Sequence, residues 1–372
     1  MTINLRIPGP TPIPEGVLQA SAEPMIGHRS PEFWELLNSV TKKLQDLFLT
    51  TNDLFVLTAS GTGALEAAVV NTLSPGDKAL AVVIGVFGER FARIAEVYGL
   101  DVQEITVPFG RAVDPDDVRK ALRADPSIKT VMITHNETST GVTNDLASVA
   151  EIVKGEFGKL LLVDAISSMG SIPCPVDAWD LDVVASGSQK GFMAPPGLAM
   201  ISVSQMAWEA AAEAKLPCFY FDLSAAKKSL PRGQTPWTPA ISIFKAMDVS
   251  MDMLGEEGLE NVFERHARVG QMCRDGIKDL GLQLFSEEAV ASNTVTAVNV
   301  PEGVGAAELL ELLRTDYGVI LAAGQGSLQG KIFRVGHLGY CSEEDIQNVL
   351  EALRAALPRV GFQFAGKGNR SW

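Results

Sequence analysis

From about residue 53 to residue 204, short unbroken apolar runs alternate with longer stretches in which apolar residues recur every three or four positions. The runs are LFVLTA (54–59), ALAVVIG (79–85), TVMITH (130–135), KLLLVDA (159–165), DVVASGS (182–188) and LAMISVS (198–204). A strand that is apolar at every position is buried on both faces, so these runs predict a mostly parallel sheet, and the periodic stretches supply its crossover helices. GALEAAVVNTL, GERFARIAEVYG and DPDDVRKALRAD are three of those stretches. Together they predict an α/β sandwich.

The texture changes after PRGQTPWTPA (231–240). A long helical pattern runs from about Ala240 through Arg274, and Gly255 and Gly258 mark a break in it. NTVTAVNVP, AAELLELLRTDYG, KIFRVGH and SEEDIQNVLEALRAAL then read as strand, helix, strand and helix, a small α+β unit. The expected division is an extended arm over 1–15, a large domain over 16–257 and a small domain over 258–372, with no regular element in the tail GKGNRSW.

Composition narrows the function. The 372 residues are 46% hydrophobic, enough for sizeable cores, and carry a formal net charge of −14. That charge repels polyanions, so neither a nucleic acid nor an anionic membrane is expected as a partner. Cys174, Cys218, Cys273 and Cys341 form no CxxC pair, and His28, His135, His266 and His337 show no metal-ligand spacing, so no metal is expected. The start MTINLRIPGPTPIP lacks the basic and apolar regions of a secretory signal, and no apolar run approaches the ~18 residues of a membrane span. A cytoplasmic protein is the expectation.

In open parallel sheets, ligands bind beyond the carboxyl ends of the strands. Here those ends hand over to SGTG, VFGER, NETSTG, Asp164 and GSQK, so the chemistry-capable residues converge on one edge. Ser60, Gly61 and Thr62 open a helix, where free N–H groups suit a phosphate; an ordinary N-cap reads the same way. The segment is neither GxGxxG nor a Walker loop. Asp164 ends an apolar strand, the place of a carboxylate that pairs with a protonated ring nitrogen or of a structural cap or ion pair. Lys190, in SGSQKGFMAPPG, is either a solvated loop lysine or one held in a pocket, able to lose its proton and attack a carbonyl carbon. Phe87 either packs in the core or stacks on a planar ring, and Arg334, inside an apolar strand, meets a structural acid or a substrate carboxylate. A phosphate cradle, a ring-nitrogen partner and a Schiff-base lysine together describe a site for pyridoxal 5'-phosphate.

SGTGALEAA, THNETSTGV, LLLVDAISS, SGSQKGFMAPPG, TPWTPA and FRVG, in that order, closely resemble the class V aminotransferases of pyridoxal-phosphate fold type I, and within them the alanine–glyoxylate and serine–glyoxylate (serine–pyruvate) enzymes. The resemblance covers nearly the whole chain. It implies a large domain with a mostly parallel seven-stranded sheet, a small C-terminal α+β domain, and a homodimer with shared sites. By position, it makes Lys190 the Schiff-base lysine and proton shuttle, and Asp164 the partner of the pyridine nitrogen. It assigns Ser60, Gly61, Thr62 and Gln189 to the phosphate, Phe87 to the ring face, and Thr138 to the phenolic oxygen. Thr238 and Thr235 would reach the phosphate of the neighbouring subunit, and Arg334 would clamp the substrate α-carboxylate. Thr62, Phe87 and Thr235 stand where some relatives carry histidine, tryptophan and tyrosine. The implied activity is ping-pong transfer from L-alanine or L-serine to glyoxylate or pyruvate. The rival readings are a 2-aminoethylphosphonate or ureidoglycine aminotransferase and a non-catalytic subunit of the same fold; a cysteine desulfurase is disfavoured because VILAAGQGSLQGK holds no cysteine.

Overall fold

The computed structural model describes residues 3–364; the tail GKGNRSW lies outside them. Seven strands build the main sheet: β1 (Asp53–Thr58), β2 (Lys78–Val83), β3 (Asp101–Thr106), β4 (Ile128–Thr134), β5 (Leu160–Asp164), β6 (Val183–Gly187) and β7 (Leu198–Val203). Their spatial order is β1-β7-β6-β5-β4-β2-β3. β7 runs antiparallel to both of its neighbours, and the other pairings are parallel.

Successive residues of the inner strands go to opposite cores, which is why the runs are apolar throughout. Leu80, Val82, Val131, Ile133, Leu161 and Val163 face one core, and Ala79, Ala81, Met132, Leu160 and Leu162 face the other. The first core is closed by α1 (Pro31–Phe48), through Phe33, Leu37 and Val40. The second is closed by α2 (Gly61–Thr72) and α3 (Val86–Val97), through Leu65, Ala68, Phe91 and Ala95. Each fully buried leucine or valine here contributes about 1.5–3 kcal/mol. β3 is the strand that no apolar run announced. It forms the sheet edge, DVQEIT leaves most of its residues exposed, and its acids suit an edge that must not pair further.

The helical stretch after residue 240 divides into α4 (Ile241–Glu257) and α5 (Leu259–Asp279). Gly258 is the breakpoint, at φ +83°, whereas Gly255 stays inside α4. Beyond α5, an antiparallel sheet of β8 (Val295–Asn299), β9 (Ala322–Ala323) and β10 (Ile332–Gly336) has β10 in the middle. It packs with Ala306–Asp316, Glu343–Ala356 and α5 around a separate core that includes Val269, Leu309, Phe333 and Leu353. The start of the chain joins this unit: Asn4–Leu5 pairs in parallel with Val319–Ile320, and the N–H of Gly336 donates to Arg6 O (2.7 Å). Pro8 to Thr11 then cross back over the carboxyl edge of the main sheet, where Thr11 N–H donates to Gln189 O (3.1 Å).

Candidate active site

The carboxyl edge holds a cleft of about 340 Å³. Ser60, Gly61, Thr62, Phe87, Thr138, Asp164, Gln189 and Lys190, all expected from the sequence, line it together.

Ser60 is the N-cap of α2, extended at φ −84° and ψ 167°, and its side chain makes no capping bond. Gly63 N–H donates to Ser60 O (2.8 Å), which leaves the N–H groups of Gly61 and Thr62, residues that line the cleft, without an acceptor among the described residues, at the positive end of the helix dipole. A Cβ on residue 61 would lie 2.5 Å from Ile166 Cδ1, so any larger residue there would have to displace the Ile166 side chain. Gln189 adds an amide whose NH2 group is the donor a phosphate would need; its Oε1, an acceptor, is buried with no protein partner.

Asp164 ends β5, buried, and accepts one bond from Ile166 N–H (2.9 Å). No cation pairs with it among the described residues. Burial pushes its carboxyl up to about 7; the Glu137 charge adds to the rise, and Lys190 and Arg90 oppose it. Lys190 follows β6, 9% exposed, and donates from Nζ to the carbonyl of Pro8 in the arm. Burial pulls its ammonium down to about 8; Arg334 and Arg90 push the same way, while Asp164 and Glu137 resist. The solvated-lysine alternative is thereby excluded, and so is a structural cation for Asp164.

Arg334 lies in the middle of β10, 5% exposed and just behind the cleft wall. Nε and Nη2 donate to Ala323 O (3.1 and 2.8 Å), and Nη1 donates to Thr138 O (2.9 Å) and Gln325 Oε1 (3.3 Å). It has no carboxylate within hydrogen-bond reach among the described residues, so its N–H groups are met by carbonyl oxygens. Burial lowers its guanidinium to about 10, against the pull of Glu137.

Thr235 and Thr238 are not brought to this cleft. Thr235 Oγ1 donates to Trp237 O (2.6 Å) beside Tyr220, and Thr238 is exposed. Sequence reasoning also missed several cleft residues. Arg90, one helical turn beyond Phe87, places its guanidinium 4.8 Å from the Phe87 ring centroid, and Nη1 reaches Thr62 Oγ1 (3.4 Å). Asn136 and Ser167 form a wall, joined by an Asn136 Nδ2 to Ser167 Oγ bond (2.8 Å). The arm contributes Gly9 and Pro10. The sequence signals were present in GER, THN and PGP, but nothing local distinguished them from ordinary loop residues.

An uncapped helix start, an amide side chain, an unpaired buried acid and a lysine near neutrality face one space. That set fits pyridoxal phosphate: the helix start and Gln189 suit its phosphate, Asp164 its ring nitrogen, and Lys190 its carbonyl carbon.

The profile of the family described as "Aminotransferase class-V" matches residues 4–349. The chain is 45% identical to the soluble hydrogenase 42 kDa subunit of Anabaena cylindrica, across 98% of this chain and 96% of that one. It is 38% identical to the serine–glyoxylate aminotransferase of Methylorubrum extorquens, across 95% and 90%. The crystal structure of an alanine–glyoxylate aminotransferase from Nostoc sp. superposes with a TM-score of 0.92 at 31% identity, covering 96% of each chain.

Proposed function

Since the chain belongs to the class V aminotransferases, which are pyridoxal-phosphate-dependent transaminases, we propose that it moves the amino group of L-alanine or L-serine to glyoxylate or pyruvate in two half-reactions. The observation that carries this reading is that Lys190 and Asp164, both buried and without an ion-pair partner among the described residues, line one cleft, each displaced by burial toward neutrality. When bound, the cofactor supplies an electrophilic carbonyl carbon and a ring that accepts the electron pair released at the substrate Cα.

The chain's own residues do the rest. Ser60, Gly61, Thr62 and Gln189 hold the phosphate end, and Phe87 lies against the ring. Asp164 keeps a negative charge at the ring nitrogen, where a cation in turn lowers the carboxyl from its ligand-free position near 7. Thr138 bonds near the phenolic oxygen. Lys190 is the proton carrier: a nitrogen near 8 gives up its proton easily, so Nζ would take the proton from the donor Cα and deliver it to the carbon that was the cofactor's carbonyl carbon. Arg334 clamps the donor carboxylate, exchanging carbonyl partners for a bidentate anion. Arg334, behind the Thr138 wall of the cleft, is one buried guanidinium for a carboxylate, and Arg90 on the cleft lining is exposed, which suits small monocarboxylate donors and acceptors.

Thr235 and Thr238 have no role in the cleft of their own chain, which supports a homodimer in which they serve the neighbouring site. The four cysteines are unpaired and three are buried, as suits a reducing cytoplasm.

The test is the visible absorbance of the purified protein loaded with pyridoxal phosphate. Bleaching by L-alanine or L-serine and recovery on adding glyoxylate are expected. A spectrum that no amino acid changes would overturn the proposal and favour a non-catalytic subunit.

A further inference from the structure

Glu137 belongs to none of the roles above, yet it is completely buried at the carboxyl edge of β4. Its two oxygens are each used twice. Oε2 accepts from Phe87 N–H (3.0 Å) and Gly88 N–H (3.1 Å), and Oε1 accepts from Ser139 N–H (3.0 Å) and Ser139 Oγ (2.5 Å). Ser139 Oγ in turn accepts from Val86 N–H (3.0 Å). The first three N–H groups of α3 are thus capped by a pair of residues about fifty positions further along, because the N-cap Gly85 has no side chain to do it.

The fit is steric as well as electrical. A Cβ on Gly85 would lie 2.4 Å from Glu137 Cγ and 2.5 Å from Cδ, so residue 85 is glycine because the carboxyl occupies that space. Four converging donors require four acceptor positions, which a carboxylate has and a glutamine amide lacks. The positive end of α3 adds to the preference for an anion.

Phe87 is the second residue of α3, and its ring forms a wall of the cleft. Its backbone N–H is one of the bonds that Glu137 receives, and Glu137 also precedes Thr138, which lines the same cleft. We propose that Glu137 is a positioning residue that sets Phe87 against the cofactor ring by anchoring the start of α3 from β4. This rests on the assignment of Phe87 to the ring face.

The test is a double-mutant cycle read as the dissociation constant of pyridoxal phosphate from wild type, F87A, E137Q and F87A/E137Q, titrated into cofactor-free protein and followed by tryptophan fluorescence. Stacking of this kind corresponds to about a tenfold change. F87A and E137Q are each expected to weaken binding by about that factor, with the double variant no weaker than F87A, since Glu137 acts through Phe87. Multiplied effects in the double variant would overturn the inference and leave the Phe87 assignment standing. An F87A protein that binds like wild type would overturn both. If E137Q does not fold, S139A takes its place: it removes only the hydroxyl that links Glu137 to Val86, and the same masking by F87A is expected.

Discussion

The Nζ of Lys190 donates to the carbonyl of Pro8, a bond between residues 182 positions apart that lays the N-terminal arm directly on the buried lysine. Thr11 reinforces the crossing through its Oγ1 bond to Lys190 O (3.2 Å). The lysine is therefore held from a strand on one side and from the arm on the other, and this burial is what lowers its ammonium.

Gly9 is the closest point of that contact. It sits at φ +106°, and a Cβ there would stand 2.6 Å from both Lys190 Cδ and Nζ. G9A is expected to displace the lysine and to cut kcat by up to ~100-fold, while the fold survives. Steady-state kinetics and the circular dichroism of the cofactor-free protein check both halves.

K190A is expected to lose the proton carrier and ~10²–10⁴-fold of turnover. Single-turnover kinetics with the loaded enzyme read this directly. Unchanged turnover would sink the assignment of Lys190.

Asp164 makes the cofactor-free protein pH-sensitive. In the folded chain the carboxyl keeps its proton to about pH 7, and in the unfolded chain it loses it near 3.8, so between these values the folded state binds more protons. Stability then falls as pH rises through that window, and the cost is complete above it, on the order of a few kcal/mol. D164N removes the charge. Calorimetry of the cofactor-free proteins should show D164N melting above wild type at pH 8 and close to it at pH 4, while its affinity for pyridoxal phosphate is weaker.

R334K keeps the charge and loses the planar fork. The donor KM is expected to rise by about tenfold or more, with the dissociation constant of pyridoxal phosphate unchanged. Equal donor KM values in the two proteins would remove Arg334 from the substrate site.

The pattern of the chain by itself determined the inner strands, the site edge and the helix break. Residues at the middle of a two-sided core must be apolar at every position, so β2, β4, β5, β6 and β7 were legible, and the glycines and polar residues at their ends marked where the chain turns outward. β3 was not, because most of its residues face solvent, whereas the other edge strand, β1, is buried at its central positions and announced itself as LFVLTA. The site residues assigned from motifs, Lys190, Asp164 and the Ser60 turn, were readable because each departs from the composition its own strand or helix requires. Only the tertiary structure decided that Pro8 meets Lys190, that Arg334 rests on carbonyls rather than an acid, and that Glu137 caps a helix begun fifty residues earlier. Those partners are set by strand order and by the path of the arm. A local sequence pattern records whether a residue is buried or turning, and carries no information about which distant segment the fold lays against it.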